Sequence, residues 1–136
     1  MKLMTLIAAV MVFSTFTSCN KDDNNGGGGG SEVASVITFT FPTTGAIVLN
    51  GTPMKVEGTI SDNNSLASAR VEIRNKTTGA VYFSQTTTTP TTTFYRFDWT
   101  WNVSGITTTT AATVKVTARD MNGVEVIKEV DFTLEN

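Results

Sequence analysis

The strongest constraint on this chain is a repeated alternation of apolar and polar residues in short runs. In one run, Val56 and Ile60 alternate with Glu57 and Thr59. Successive side chains of a β-strand point to opposite faces, so a period of two predicts strands with one buried and one solvated face. No stretch of ten residues has helical spacing, and the sequence therefore predicts an all-β domain. The alternating runs are 36–41, 54–61, 67–74, 80–85, 94–103, 112–119 and 124–134.

Turn-forming residues separate these runs. Asn50-Gly51, Thr78-Gly79 and Asn122-Gly123 each lie between two of them, and Asn and Gly adopt the backbone conformations that tight turns require. Seven short antiparallel strands spaced in this way over about 100 residues predict an immunoglobulin-like β-sandwich. A small closed barrel is the alternative, but the two long runs that start at 94 and 124 favour the sandwich.

Two segments resemble bacterial Ig-like and cadherin-like domains. Residues 51–62 read GTPMKVEGTISD and precede the run 69–73, and residues 114–123 read VKVTARDMNG. In those domains, similar segments form the second strand and the penultimate strand with its turn. The resemblance covers most of residues 50–134 and implies the same sandwich. It implies little about function, because such sandwiches have many roles.

Composition excludes several classes of protein. The chain has 136 residues, no His and one Cys, with 10 Lys+Arg against 12 Asp+Glu. Without His there is no Ser-His-Asp triad, no Cys-His pair and no His-ligated zinc or haem. One Cys cannot form an intrachain disulfide. The net charge of −2 argues against a nucleic-acid partner, which needs a basic surface.

The N-terminus predicts a leader and not a part of the fold. Lys2 precedes an apolar run over residues 3–13, which is shorter than the roughly 20 residues of a membrane span. The following Phe16-Thr17-Ser18-Cys19 resembles a bacterial lipobox. This resemblance implies that residues 1–18 are a lipoprotein signal peptide and that Cys19 carries the lipid.

The residues after Cys19 indicate where the protein is displayed. Lys21, Asp22 and Asp23 resemble the export signal of Bacteroidota surface lipoproteins, which implies an outer-membrane location facing the cell exterior. Five consecutive Gly follow, at 26–30, and such a segment has too much conformational entropy to hold structure. We therefore divide the chain into the signal peptide, a lipid-anchored flexible linker over 19–31 and the Ig-like domain over 32–136.

Two loops carry oxygen-rich side chains that could bind Ca²⁺. Asp62 and Asn64 lie in one loop, and Asp120 and Asn122 lie in another. In an Ig-like order both loops lie at the same end of the sandwich, and Ca²⁺ takes six to eight oxygen ligands. The alternative is that these side chains cap their own turns. No other cofactor is predicted.

An aromatic stripe is the second candidate site. Tyr95, Trp99 and Trp101 lie on one face of a single run. Flat aromatic rings on a sheet surface can stack against sugars, although the simpler interpretation is that the stripe belongs to the core.

Two features predict local irregularity. The threonine-rich segment 86–93 contains Pro90, which is incompatible with a central strand, so we expect a loop there. Lys128 falls on the apolar face of the last run, which indicates either a β-bulge or an edge position from which Lys reaches water.

Together these features predict a non-catalytic cell-surface lipoprotein, bound to the membrane by its lipid. Its domain would be a binding or scaffold module in glycan capture, adhesion or an envelope complex, with a polysaccharide or an envelope protein as partner. One alternative is a purely structural protein that pairs through an edge strand. The least favoured alternative is a glycosidase that uses paired carboxylates.

Overall fold

The alternating runs form strands in the computed structural model, which describes residues 34–136 of the chain. Residues 1–33 lie outside the described residues. The predictions of the leader, of lipidation at Cys19, of the export signal and of the linker over 19–31 therefore stay predictions. The strands are β1 (Val36–Phe41), β2 (Ile47–Leu49), β3 (Pro53–Asn75), β4 (Val81–Asn102), β5 (Thr110–Asp120) and β6 (Glu125–Glu135).

The two long strands, β3 and β4, each contribute to both layers of the sandwich. They pair antiparallel along almost their whole length, with register shifts between Ser61 and Ser68. Before the shifts, β3 pairs with β1; after them, it pairs with β5. The predicted runs 54–61 and 67–74 are therefore one continuous strand that passes from the first layer to the second. In the same way, the runs 80–85 and 94–103 are parts of β4.

The remaining strands complete the second layer. β5 pairs antiparallel with β6, and the short β2 pairs parallel with the end of β6, with Val48 opposite Leu134. The all-β, immunoglobulin-like sandwich is confirmed, but the pairing of β2 makes the sheet mixed rather than purely antiparallel. The sequence analysis missed β2 because three residues are too few to show alternation.

The core lies between the inward faces of the two layers. Val56 and Phe97 from the first layer and Val71 and Val114 from the second are completely buried, within a single apolar cluster. Every residue of this cluster lies between Ile37 and Leu134. These residues form one continuous core within the described part of the chain.

Gly58 allows the closest approach in the first layer. A Cβ atom at this position would lie 2.1 Å from the carbonyl oxygen of Thr38 and 2.4 Å from Cζ of Phe97. The Phe97 ring therefore occupies the space that a side chain would need, and it also contacts Phe39 edge-on, with ring centroids 5.8 Å apart. The glycine that interrupts the apolar alternation of β3 is thus a packing requirement.

The threonine-rich segment 86–93 is part of β4 and not a loop, so that prediction was wrong. Thr88 pairs with Ser68, and Thr92 pairs with Leu66. Pro90 is compatible with a strand here because, within residues 34–136, β4 pairs only with β3. It is therefore an edge strand of the described sheet, and proline is tolerated on edge strands.

Lys128 lies in a regular strand, so the bulge alternative was wrong and the edge alternative is correct. The pairing of β5 with β6 has no register shift, and Val116 lies opposite Lys128. The Lys128 side chain extends past the sheet edge, and its Nζ donates a hydrogen bond to the carbonyl oxygen of Ile37 at 2.9 Å. This bond joins β6 of the second layer to β1 of the first.

Candidate functional site

The outward side of the second layer forms a polar surface, which we call the polar face. It consists of the outward-facing residues of three segments, namely 68–74 of β3, 113–119 of β5 and 125–131 of β6. Glu72 lies opposite Lys115, and Lys115 lies opposite Glu129. Alternation places all three side chains on one side of the sheet, so the strand register makes a row of alternating charge across three strands.

Glu72 is the buried centre of this face. Its side chain is only 7% exposed, although it points away from the apolar core. Arg70 Nη2 donates to Oε1 at 2.6 Å, and Arg74 Nη2 donates to Oε2 at 2.8 Å. Residues two apart in a strand share a face, so both guanidinium groups can cover the carboxylate. The ion pairs in turn fix two arginine side chains on the surface.

A second ion pair lies beside this cluster. Lys76 Nζ donates a hydrogen bond to Oδ2 of Asp131, and Thr113 Oγ1 donates to Oδ1 at 2.7 Å. The hydrogen bond from Lys76, followed by that from Thr113, lowers the pKa of Asp131 below its ordinary value. Asp131 is therefore held as a carboxylate at neutral pH.

Two depressions of about 360 Å³ each mark the polar face, and both include Lys115 in their lining. The first lies around Arg74, Lys76 and Asp131. The second lies around Arg119 and Glu125 and includes Ile127, which is 51% exposed. Each depression is thus lined by both charges, and the second also offers an apolar contact.

Cations are concentrated on this side of the molecule. Five of the eight Lys and Arg residues in the described part of the chain lie there, namely Arg70, Arg74, Lys76, Lys115 and Arg119. A surface with mixed charges, fixed guanidinium groups and shallow depressions can recognise polar and charged side chains of a partner by complementary charge.

The outward side of the first layer has a looser charge cluster. Lys55 Nζ contacts Glu57 Oε1 at 3.3 Å and Asp98 Oδ2 at 3.2 Å. These hydrogen bonds, above all the one to Asp98, raise the pKa of Lys55 above its ordinary value. All three side chains remain partly or largely in water, so salt screens their attraction.

The two loops predicted as a calcium site do lie side by side. Leu66 pairs with Asp120, and Asn64 Nδ2 donates to Asp120 Oδ2 at 3.4 Å. The carboxylates accept hydrogen bonds from their own turns: Asp62 Oδ1 from the backbone N–H of Asn64 at 2.6 Å, and Asp120 Oδ1 from that of Val124 at 2.7 Å.

These bonds are the ones that turn capping predicts. Asn122 lies exposed in the turn between β5 and β6. Within residues 34–136, no group of three or more Asp, Glu or Cys side chains is arranged to hold a metal ion. Calcium binding at these loops stays a prediction.

The aromatic stripe lies in the core. Trp99 is 4% exposed and stacks on Phe97, with ring centroids 4.9 Å apart. Trp101 is 8% exposed and is covered by Tyr82, with centroids 5.9 Å apart. Tyr95 is half-buried beside the same cluster. Because both indole rings pack against other aromatic rings, the structure argues against a sugar-stacking role for them.

The sequence analysis did not identify the hydrogen bonds from Arg70 and Arg74 to Glu72. A signal was present, since Arg70, Glu72 and Arg74 alternate with the apolar Val71 and Ile73. That alternation predicted a wet strand face, and the spacing of two allowed both arginines to reach one carboxylate. The burial of Glu72 depends on the neighbouring strands, which alternation within one strand does not show.

The fold and its outward faces define the class of the protein as an immunoglobulin-like β-sandwich. The sequence matches the bacterial Ig domain over residues 36–111, and the chain belongs to that family. Domains of this kind are generally non-catalytic binding or scaffold modules, and bacterial ones are often extracellular or surface-exposed. Within residues 34–136 there is no helix that is long and apolar enough to cross a membrane.

Solved structures show the same fold at low sequence identity. The fibronectin(III)-like modules of CbhA from Clostridium thermocellum have a TM-score of 0.53 and 14% identity, covering 76% of this chain and 47% of that one. This chain thus spans about half the length of the matched CbhA chain.

Two further structures are similar with TM-scores below 0.5. CopC from Methylosinus trichosporium OB3b has a TM-score of 0.48 and 14% identity, covering 75% of this chain and 94% of that one. Murine CRIg has a TM-score of 0.45 and 10% identity, covering 76% and 98%. No curated protein matches the sequence significantly.

Proposed function

We propose that this protein is a lipid-anchored, non-catalytic surface module that binds an envelope or cell-surface protein through its polar face. The main support for this proposal is the polar face. It combines a buried carboxylate held by two arginines, a row of alternating charge and two depressions. Fixed charges of both signs favour a partner with complementary charges and disfavour other partners.

The burial of both tryptophans supports a protein partner over a polysaccharide. Sugar recognition by stacking needs an exposed aromatic ring face, and Trp99 and Trp101 are at most 8% exposed. The polar face offers guanidinium and carboxylate groups instead, together with Ile127. Such a combination suits the polar and apolar side chains of a protein surface.

The proposed lipid anchor and outer-membrane location are inferred from the sequence of the N-terminal segment. Cys19 as the lipidated residue would join the domain to the membrane, and residues 20–31 would act as a flexible tether. An r.m.s. reach of about 5–6 Å × √n gives such a tether roughly 20 Å. The domain could then turn its polar face toward a neighbouring protein.

The anchor is tested by Cys19→Ser in cells fed radiolabelled fatty acid. We expect the wild type to carry label and to fractionate with the outer membrane, and the variant to lose both properties. Protease added to intact cells should degrade the anchored wild type, since the domain faces outward. Label on the variant would contradict lipidation at Cys19, and protection from protease would contradict outward display.

The polar face is tested with two matched variants of the segment 20–136, which lacks Cys19 and contains every residue of the described core. Thr117→Glu introduces a negative charge at the second depression, and Thr38→Glu introduces the same charge on the exposed side of β1. We expect Thr117→Glu to weaken binding to isolated envelopes by about tenfold or more, and Thr38→Glu to leave it unchanged.

Two treatments of the envelopes identify the class of the partner. Protease digestion should abolish binding, and periodate oxidation of sugars should not. Binding that survives protease but is lost after periodate would overturn the protein partner in favour of a polysaccharide. Equal binding by Thr117→Glu and the wild type would overturn the polar face as the site.

A further inference from the structure

The free edges of the described strands are protected to different degrees. β1 is bridged to the second layer by the hydrogen bond from Lys128 to Ile37. β2 has only three residues, and short edge strands offer little to pair with. β4 has 22 residues and, among the described strands, pairs only with β3. Its open edge therefore presents the longest row of unpaired backbone donors and acceptors.

The last part of β4, residues 94–102, carries charges that are incompletely paired. Arg96 is exposed and has no ion pair within residues 34–136. Asp98, two residues further on, shares the single cation Lys55 with Glu57. Within the described residues, Arg96 thus lacks an ion pair, and the neighbouring cluster of Lys55, Glu57 and Asp98 has an excess of one negative charge on the same outward side of the sheet.

Arg96 and Asp98 of one copy can pair with Asp98 and Arg96 of a second copy that is related by a two-fold axis. When two such strands run antiparallel with Phe97 at the axis, Arg96 of each copy lies opposite Asp98 of the other. The same register places Phe94, which is 57% exposed, opposite Thr100 of the other copy. Pairs of opposite charge and of an aromatic with a β-branched residue both stabilise antiparallel strands.

We propose that two copies of this chain pair through residues 94–102 of β4, with Phe97 of each at the two-fold axis. The pairing joins the first layers of two domains into one continuous sheet. Registers that centre on other residues do not bring Arg96 and Asp98 together, so charge selects this one. A closed two-fold dimer also covers the part of the open edge at residues 94–102, which would otherwise be free to recruit further strands.

The dimer is expected to be weak in solution. One strand edge buries less than the roughly 1,200–2,000 Å² of a stable interface. Association should therefore appear only as the concentration rises. Sedimentation velocity of the segment 20–136, from micromolar to millimolar concentrations, measures it directly. A wild type that stays monomeric over the whole range would overturn the proposal.

Charge reversal tests the register. Arg96→Asp and Asp98→Arg each place like charges opposite one another twice per dimer, so we expect each variant to dimerise about tenfold more weakly or not at all. A mixture of the two variants should form a heterodimer, because the opposed charges again have opposite signs. The double variant R96D/D98R should regain the wild-type affinity for the same reason.

The other outcomes are decisive against the proposal. A dimer that both single variants leave unchanged uses another surface, and a mixture that fails to associate excludes this register. Glu129→Arg, on the polar face, is the matched control and should dimerise like the wild type. If Asp98→Arg does not fold, as judged by its thermal transition, then Arg96→Asp and the double variant still separate the outcomes.

Discussion

Both layers of the sandwich carry charged side chains on their outward faces, but these side chains differ in their exposure to water. In the first layer, Lys55 lies between two carboxylates at 3.2–3.3 Å, and its side chain is 54% exposed. In the second layer, Glu72 is covered by two arginines and is 7% exposed. The first layer therefore has a solvated charge cluster, and the second has a cluster whose carboxylate is buried while its two arginines remain about half-exposed.

Proximity alone therefore does not determine how much an ion pair contributes to stability. An exposed pair contributes about 0–1 kcal/mol, because water and salt screen it. Removing one partner from a buried cluster costs more, because the remaining charges lose their compensation. We therefore expect packing to dominate the stability of the first layer and the ion cluster to contribute to that of the second.

The largest effect is expected from Gly58→Ala in the first layer. The added methyl group would overlap the carbonyl oxygen of Thr38 and the Phe97 ring, so β1 or the ring must move. We expect the free energy of unfolding in urea to fall by about 3 kcal/mol or more. Thr59→Ala, at the next position but on the outward side, should change it by less than about 0.5 kcal/mol. Equal effects of the two variants would contradict the packing argument.

The second layer is tested by Glu72→Gln. This change keeps the shape of the side chain but removes the charge that compensates Arg70 and Arg74. Hydrogen bonds to charged groups contribute about 1.5–3 kcal/mol, so we expect a loss near 2 kcal/mol in the free energy of unfolding. Glu129→Gln, on the same face but exposed, is the control and should cost about 0.5 kcal/mol or less. A smaller loss for Glu72→Gln than for the control would show that burial does not strengthen the cluster.

A contact between the two parts of β4 should have an intermediate effect. Trp99 Nε1, in the first layer, donates a hydrogen bond to Thr87 Oγ1 at 3.2 Å. Thr87→Val keeps the side-chain shape and leaves the buried indole N–H without its acceptor, at a cost of about 1 kcal/mol. Thr88→Val, at the exposed neighbouring position, is the control, and tryptophan emission during urea unfolding measures both. An unchanged midpoint for Thr87→Val would mean that the bond contributes nothing.

The comparison also shows what the sequence could predict. Alternation within a run predicted which residues face inward, and Val56, Val71 and Val114 are all fully buried. It could not predict that runs separated by residues 62–66 form one strand, because the continuity of β3 comes from its pairing with β4. Pro90 was misjudged for a related reason, since it excludes a central strand but not an edge.

The candidate sites were less predictable than the fold. Neighbouring loops at Asp62 and Asp120 followed from the Ig-like order, and the structure places them together. The aromatic stripe fitted two interpretations, and only packing from Tyr82 and Phe97 separates them. The burial of Glu72 depends on both arginines and the adjacent strands, so it is a property of the sheet and not of one run.

The smallest effect is expected from the exposed ion pair of Lys76 and Asp131. This pair makes the stability of the domain depend on pH. The hydrogen bond from Lys76 lowers the pKa of Asp131 in the folded state. The ion pair therefore contributes its full stabilisation at pH values above 3.8, the pKa of Asp131 in the unfolded chain. It is lost as the pH falls from there through the folded value. Asp131→Asn should therefore cost up to about 0.5 kcal/mol at neutral pH, and less in high salt, because both side chains are about half-exposed. Urea unfolding at neutral and acid pH measures the difference between wild type and variant. A difference that grows as the pH falls below 3.8 would contradict the lowered pKa, because the protonated side chain can no longer pair with Lys76.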